Sequence, residues 1–270
     1  MSLRRRGLVG ILLCLGFCTL TLAQGVTTVF LEELTWTELR DEVKAGRTTV
    51  IVPVGGTEQS GPHIVLGKHN VRVRVLAARI AAGLGNALVA PVIAYVPEGR
   101  IDPPAGHMRF AGTISIPEGA FEATLEGAAR SFRQAGFRDI VFIGDHGGYQ
   151  QSLTRVAARL QREWAASPVR VHAIEEYYRS TDREVAQALR RQGLSDAEIG
   201  THAGAGDTSL ALGVDEQLVR AARLKDGSPL GTAEGVQGDP RRASASAGRA
   251  AADLIVARTR DAIQREVARH

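Results

Sequence analysis

The residues best suited to chemistry lie in the stretch 52–70, which reads VPVGGTEQSGPHIVLGKHN. An apolar run ends there in a Gly-rich turn, and Glu58, His63 and His69 follow within a few residues. Carboxylate and imidazole groups are the side chains with which proteins bind divalent metals such as zinc. The spacing matches no standard zinc motif. A surface loop with solvated histidines is therefore the alternative interpretation of this segment.

A second segment of the same design is GDHGGY at positions 144–149, which follows another apolar run. It carries Asp145 and His146, and its glycines would let the backbone approach a ligand closely. A tight turn in which His146 caps the next helix is the alternative. The chain contains neither GxxxxGK[ST] nor GxGxxG, so nucleotide binding is not indicated.

Two further positions are candidates for the same site. Asp207 lies in THAGAGDTS, where it would serve as a metal ligand or a base, or else Asp207 or Thr208 would cap a helix. His107 lies in a long loop rich in Pro and Gly, and long loops are often functional, although a solvated histidine also fits.

The elements that must position these residues alternate along the chain. Apolar and β-branched runs predict strands, and helical spacing of apolar residues predicts helices between them. The predicted strands are 48–54, 87–96, 139–143 and 169–174, and the predicted helices are 71–84, 118–135, 151–166, 182–192 and 243–267. This alternation is typical of a mainly parallel α/β sheet covered by helices on both faces.

In such a sheet both Gly-rich loops emerge at the carboxyl edge, where they are expected to converge. The helix 182–192 is polar and is predicted to be largely exposed. The segment 175–199 around it would cover the site or face a neighbouring subunit. Nothing divides the chain further, so residues 24–270 are predicted to form a single domain.

The first residues are predicted to be a signal peptide, residues 1–23. Three arginines at positions 4–6 precede an apolar run at 8–22, and Thr-Leu-Ala before Gln24 is a small-residue cleavage site. The run is short for a membrane span, which needs about 20 residues. A retained anchor is the alternative, and bulky Phe17 argues against lipidation of Cys18. We therefore expect a periplasmic or secreted protein without stable membrane insertion after cleavage.

Composition excludes several classes of mechanism. Both cysteines, Cys14 and Cys18, lie within the predicted signal peptide, so the mature chain would use no cysteine chemistry and contain no disulfide. The formal net charge of +4 falls to +1 without the three signal arginines. This balance gives no reason to expect a nucleic-acid or acidic-membrane partner.

Together these segments resemble the creatininase (creatinine amidohydrolase) family. The resemblance rests on VPVGGTEQSGPH, FAGTISI, GDHGG, HAGAGDTSL and GVQGDPRRASASAG, which occur in the family's order and span most of the chain after residue 23. It implies a three-layer αβα sandwich and frequent homo-oligomers. It also implies metal-dependent hydrolysis of cyclic amides and related C–N bonds in a small-molecule substrate.

The chain departs from the family pattern at the implied metal ligands. The family usually reads TEQHGPH and then GTD, with an aspartate that bridges two metals. Here Glu58 matches the glutamate, Ser60 stands at the histidine position and His69 at the bridging aspartate. His146 matches the ligand histidine of the family's NGHGGN loop. An imidazole cannot bridge two ions as a carboxylate does, so the second metal is in doubt.

The resulting hypothesis is one metal ion bound by Glu58, His69 and His146, with Asp207 as a fourth ligand or base. Many family members read HAGExET, so Asp207 stands at an acidic position of that motif. A set of two histidines and one carboxylate with an open position is a familiar catalytic zinc arrangement. We expect zinc, and manganese or Fe(II) would also suit these ligands.

In this hypothesis a water molecule on zinc, with its pKa lowered to about 7, attacks an amide or lactam carbonyl. Asp207 or Asp145 would accept its proton and return it to the leaving nitrogen. His63 and His107 would orient the substrate or stabilise the oxyanion. Ser60 is too weak a ligand to replace histidine and would hydrogen-bond a neighbouring group or water.

Two other classes fit the same residues. One is a non-catalytic periplasmic protein that binds a small molecule or a metal on this fold. The other is a redox enzyme that uses Fe(II) in the same ligand set.

Overall fold

A computed structural model describes residues 28–269, so the predicted signal peptide lies outside the described residues. Its centre is a four-stranded sheet in which every neighbouring pair of strands is parallel, in the order β2-β1-β3-β4. The strands are β1 (Thr49–Val54), β2 (Ala87–Val89), β3 (Asp139–Gly144) and β4 (Arg170–Ala173). The parallel arrangement brings the ends of β1, β2 and β3 to one edge of the sheet.

Helices cover both faces of this sheet. They are α1 (Trp36–Lys44), α2 (Lys68–Leu84), α3 (Glu118–Gln134), α4 (Gln150–Glu163), α5 (Glu175–Arg191), α6 (Asp196–Ile199), α7 (Ala205–Val214) and α8 (Ala245–Ala268). Helices α2, α5, α7 and α8 share one apolar cluster, and α1, α3 and α4 pack into the other. The predicted αβα sandwich with a mainly parallel sheet is therefore confirmed.

The strands are buried on both faces because helices cover both. In β1, Ile51 belongs to the cluster with α2 and α8, whereas Val50 and Val52 belong to the cluster with α3 and α4. Successive side chains of a strand point to opposite faces, so one apolar run fills both cores.

Two predicted elements differ in the structure. The strand expected at 87–96 ends at Val89, after which Ile93 forms only a single bridge with Val54. The expectation of a largely exposed helix at 182–192 is wrong. Helix α5 begins at Glu175, and Tyr177, Val185 and Leu189 are buried in the core. Its apolar residues lie at helical spacing, but the many charged residues between them hide that stripe in the sequence.

Candidate active site

A polar cavity of about 640 Å³ opens at the carboxyl edge of the sheet. The loops that follow β1 and β3, the first turn of α2, and α5 and α7 form its walls. The segment 175–199 thus contributes one wall, through residues such as Tyr178, Thr181 and Asp182. The two Gly-rich loops meet here, as a parallel sheet requires.

The first turn of α2 carries three polar side chains into this cavity. The helix begins at Lys68, directly after Gly67, and Lys68, His69 and Arg72 are each at most 4% exposed. Lys68 and Arg72 are one helical turn apart and therefore lie on the same face of the helix. All three residues line the cavity.

His69 lies between two carboxylates. Its Nε2 is 2.8 Å from Glu58 Oε1, and its Nδ1 is 2.6 Å from Asp145 Oδ1. An ionised carboxylate only accepts hydrogen bonds, so in each of these two contacts the ring nitrogen is the donor. Arg72 Nη2, which can only donate, also lies 3.1 Å from Nδ1. Metal ligation by His69 stays a prediction, and it requires one of these hydrogen bonds to break.

Asp145 and Asp207 are paired with cations of the chain itself. Asp145 accepts hydrogen bonds from Arg72 Nε at 2.7 Å and from the Tyr177 hydroxyl at 2.6 Å. Asp207 accepts one from Arg72 Nη1 at 3.0 Å and another from Lys68 Nζ.

Burial opposes the ionisation of both aspartates, but nearby positive charges outweigh its effect. At Asp145 the charge is that of Arg72, and at Asp207 the charges are those of Lys68 and Arg72. The pKa of each carboxyl therefore lies below its usual value. Both predicted proton acceptors are consequently weak bases. Their role as acceptors stays a prediction.

Unpartnered carboxylate oxygens lie on the other side of Glu58. Glu58 Oε2 and both oxygens of Glu98 are buried without a hydrogen-bond partner among the described residues. His146 lies between them, with Nε2 3.5 Å from Glu58 Oε2 and Nδ1 3.4 Å from Glu98 Oε2. Ligand atoms of these three residues lie within 4.8 Å of one another. Buried polar atoms are normally satisfied, and a cation would satisfy these.

Burial and neighbouring charges set the protonation of this group. Burial, reinforced by the negative charge of Glu58, raises the pKa of Glu98 to about 9. Burial also opposes the ionisation of Glu58, but the His69 hydrogen bond and the Lys68 charge together lower its pKa. Burial lowers the pKa of His146 to about 4, so its imidazole is neutral at pH 7. Neutral imidazole is the form that binds metals.

A second group with ligand atoms within 4.8 Å of one another consists of Glu58, His107 and His202. His202 Nε2 is 2.9 Å from the backbone oxygen of Gln59 and donates to it, which leaves the lone pair on Nδ1. That Nδ1 lies 3.8 Å from Glu58 Oε1. His107 Nδ1 accepts from the Gln59 side-chain amide at 2.7 Å, which leaves its proton on Nε2. Burial lowers the pKa of His202 to about 4.

Of the two histidines predicted to orient substrate, His107 lines the cavity and His63 does not. His63 is fully buried beside it, with Nε2 3.0 Å from Thr208 Oγ1. The Ser60 hydroxyl is buried without a hydrogen-bond partner among the described residues.

Sequence reasoning missed four residues that line or adjoin this cavity: Lys68, Arg72, Glu98 and His202. Lys68 and Arg72 flank His69 on one helix, and helical spacing alone would have flagged them. Glu98 follows β2, and the rule for parallel sheets places the loop after each strand at the edge where the site lies. His202 precedes Asp207 by five residues in the segment THAGAGDTS, and this closeness to a candidate ligand is the signal that could have identified it.

At the carboxyl edge of its sheet, this αβα sandwich carries buried carboxylates and neutral histidines, the side chains with which a protein could hold a metal ion. The family model described as creatininase, creatinine amidohydrolase, matches residues 32–263. The chain belongs to the creatininase family, whose members are metal-dependent amidohydrolases. The predicted family membership and enzyme class are confirmed.

Individual relatives agree with this assignment. The chain is 29% identical to creatinine amidohydrolase of Pseudomonas putida over 75% of its own length and 78% of the relative. It is 36% identical to mycofactocin precursor peptide peptidase of Mycolicibacterium smegmatis, over 42% of its length and 45% of the relative.

Solved creatininase structures agree as well. A crystal structure of creatininase superposes with a TM-score of 0.74 and 26% identity, covering 90% of this chain and 99% of that one. Two other creatininase structures are described as a Mn form and as a mutant of the Zn-Zn type, each with a TM-score of 0.73.

Proposed function

We propose that this protein hydrolyses an amide, lactam or related C–N bond with one divalent metal ion at Glu58, Glu98 and His146. The observation that carries the proposal is the set of buried carboxylate oxygens without partners on Glu58 and Glu98, which face the neutral His146 ring. Leaving such oxygens unsatisfied in a protein interior is unfavourable, and a bound cation removes that penalty.

Two carboxylates and one imidazole suit zinc, manganese and Fe(II), and zinc is the ion we propose first. The manganese and zinc forms of creatininase support this choice. The ligand set predicted from sequence shares Glu58 and His146 with this one. In that set His69 and Asp207 take the place of Glu98, at the cost of their contacts with Asp145 and Lys68.

When bound, the ion would activate water and polarise the carbonyl of the substrate. His202 presents its Nδ1 lone pair near Glu58 and is the group that would accept a proton from the attacking water. His107 keeps its proton on Nε2, which lies 3.9 Å from Glu58 Oε2, and would donate a hydrogen bond to the substrate oxygen. This role for His107 agrees with the one expected from sequence.

The proposed substrate is a small molecule or a short peptide. Creatinine amidohydrolase and mycofactocin precursor peptide peptidase are named for a cyclic amide and a peptide, and both substrates contain the bond type proposed here. A cavity of about 640 Å³ has room for either class.

We further propose that the protein is exported to the periplasm or beyond, and that it forms a homo-oligomer. Within residues 28–269, no helix combines the length and the apolar character needed to cross a bilayer. The N-terminal sequence supports export, and the mass of the protein recovered from the native host tests it. Cleavage predicts a chain that begins at Gln24, whereas an intact residue 1 would contradict the proposal.

The His146→Ala variant tests the proposed metal centre. This change removes the only nitrogen ligand of the set, so we expect loss of the bound metal and of hydrolysis of creatinine or model amides by at least about 10²-fold. His172→Asn is the matched control, because His172 contacts Asp139 in the sheet and does not line the cavity. A His146→Ala protein that retains metal at the wild-type level would refute this ligand assignment.

A further inference from the structure

We infer that the Lys68 ammonium group takes the place of a second metal ion beside the proposed metal centre at Glu58, Glu98 and His146. The inference rests on the proposed function, because it concerns how many ions the same centre binds. It makes Lys68 a positioning residue, which holds Asp207 and lies beside the proposed ligand Glu58.

The environment of Lys68 is that of a bound cation. The residue is 1% exposed, and its Nζ contacts Asp207 and lies 3.7 Å from Glu58 Oε1. A buried ammonium group is strongly unfavourable unless carboxylates surround it. Here two carboxylates from different elements, the loop after β1 and helix α7, converge on one lysine.

The remaining acceptors on this side of the cavity are already used. Asp207 also accepts from Arg72 Nη1 at 3.0 Å and from the Ala203 backbone N–H at 3.1 Å. Asp145 accepts from Arg72, from His69 and from the Tyr177 hydroxyl.

The unpartnered carboxylate oxygens of the centre are instead on Glu58 Oε2 and Glu98. The residues present therefore fit one ion on the Glu98 side. Beside Lys68, where Asp145 and Asp207 are already paired, they do not fit the second ion that family resemblance implies. The group of Glu58, His107 and His202 shares its one carboxylate with the first ion.

Electrostatic repulsion explains why this side of the cavity excludes a second divalent ion. A second divalent ion beside Glu58 and Asp207 would lie within a few ångströms of the Lys68 ammonium and the Arg72 guanidinium. Like charges at that separation repel strongly in a poorly solvated cavity. The lysine thus neutralises Asp207 and leaves Glu58 available to a single ion.

Equilibrium dialysis against Zn²⁺ and Co²⁺ tests this, with the full chain as wild type and as the Lys68→Met and Lys68→Arg variants. We expect the wild type and Lys68→Arg to saturate at one ion per chain. Lys68→Met keeps the apolar stem without the charge, so we expect saturation at two ions, and about tenfold tighter binding of the first. Lys44→Met is the control, because Lys44 is exposed on α1.

The direction in which the metal affinity of Lys68→Met changes separates this role from a structural one. Loss of a merely structural lysine would weaken metal binding, whereas loss of a repelling charge strengthens it. A Lys68→Met protein that binds one ion with unchanged affinity overturns the inference. Two ions in the wild type overturn it as well, together with the one-ion count of the proposed function, but they leave the proposed metal-dependent hydrolysis intact. No ion in the wild type overturns the proposed function itself. If Lys68→Met does not fold, Lys68→Gln takes its place with the same expectation of two ions, and one ion bound with unchanged affinity again overturns the inference.

Discussion

Four buried or partly buried carboxylates lie in or next to one cavity, and their hydrogen-bond and ion-pair partners separate their roles. Asp145 and Asp207 are paired with cations that the chain supplies, chiefly Arg72 and Lys68. Within residues 28–269, one oxygen of Glu58 and both oxygens of Glu98 have no hydrogen-bond partner. Burial and the charge of Glu58 keep Glu98 protonated at pH 7, and a bound cation would let both glutamates ionise, so the second pair is where an external cation belongs. This division is the physical basis for the proposed ligand set.

The Glu98→Gln variant tests the third ligand at the scale of a single residue. Burial raises the pKa of Glu98 to about 9, so without metal this group is already neutral at pH 7. We therefore expect the free energy of unfolding of the metal-free variant to lie within about 0.5 kcal/mol of the wild-type value. Its metal affinity should fall by at least about tenfold, because an amide oxygen is a weaker ligand than a carboxylate.

Isothermal titration with Zn²⁺ measures that affinity, and Glu216→Gln on the exposed surface is the control. Wild-type affinity in Glu98→Gln would exclude Glu98 as a ligand. The set that contains His69 and Asp207 would then be favoured.

Sequence alone could identify Glu58 and His146, because each follows an apolar strand in a Gly-rich loop. It could not find the ion pairs that occupy Asp145 and Asp207, since their partners lie far away along the chain. Arg72 and Asp207 are 135 positions apart and meet only when α2 and α7 pack together.

At the scale of elements, the first turn of α2 organises the cavity. The Arg72→Met variant would leave Asp145 and Asp207 buried without their shared guanidinium. We expect it to lower the free energy of unfolding by about 3–5 kcal/mol. Arg79→Met on the same helix removes only an exposed pair with Asp253 and should cost at most about 1 kcal/mol. Urea denaturation measures both, and equal effects would contradict the structural role of Arg72.

Helices α7 and α8 cross at two glycines, where a side chain would not fit. A Cβ at Gly248 would overlap the carbonyl oxygen of Ser209, and one at Gly213 would overlap the backbone of Gly248. We expect Gly248→Ala to destabilise the protein by about 1–3 kcal/mol. Gly127→Ala, at an open and exposed position of α3, should stabilise the protein by about 0.5–1 kcal/mol. If thermal unfolding shows that Gly248→Ala is as stable as the wild type, the contact between α7 and α8 can relax, which would contradict this expectation.

Sequence patterns predicted β1 and β3 to within one residue, because buried parallel strands are continuous apolar runs. They overestimated β2, whose apolar residues continue beyond Val89 into a loop in which Ile93 forms a single bridge with Val54. They also missed the burial of α5, because its packing partner α8 lies at the far end of the chain.

At the scale of the whole molecule, the two helical layers leave the carboxyl edge of the sheet as the place where three strand-end loops and α2 meet. The αβα architecture followed from the alternation of strands and helices, since a parallel sheet requires both layers. The chemistry of the edge depends on which loops carry carboxylates and histidines, and in this chain those are the loops after β1, β2 and β3. Membership of the creatininase family and this geometry both support the proposed hydrolytic metal centre.

The metal content of the wild-type protein, purified without added metal or chelator and normalised per chain, tests this account most directly. We expect about one equivalent of zinc, manganese or iron per chain, since the free acceptors at Glu58 and Glu98 fit a single ion. A chelator should remove it, and any of the three ions should restore it. A protein that contains no metal and takes up none on addition would contradict the account.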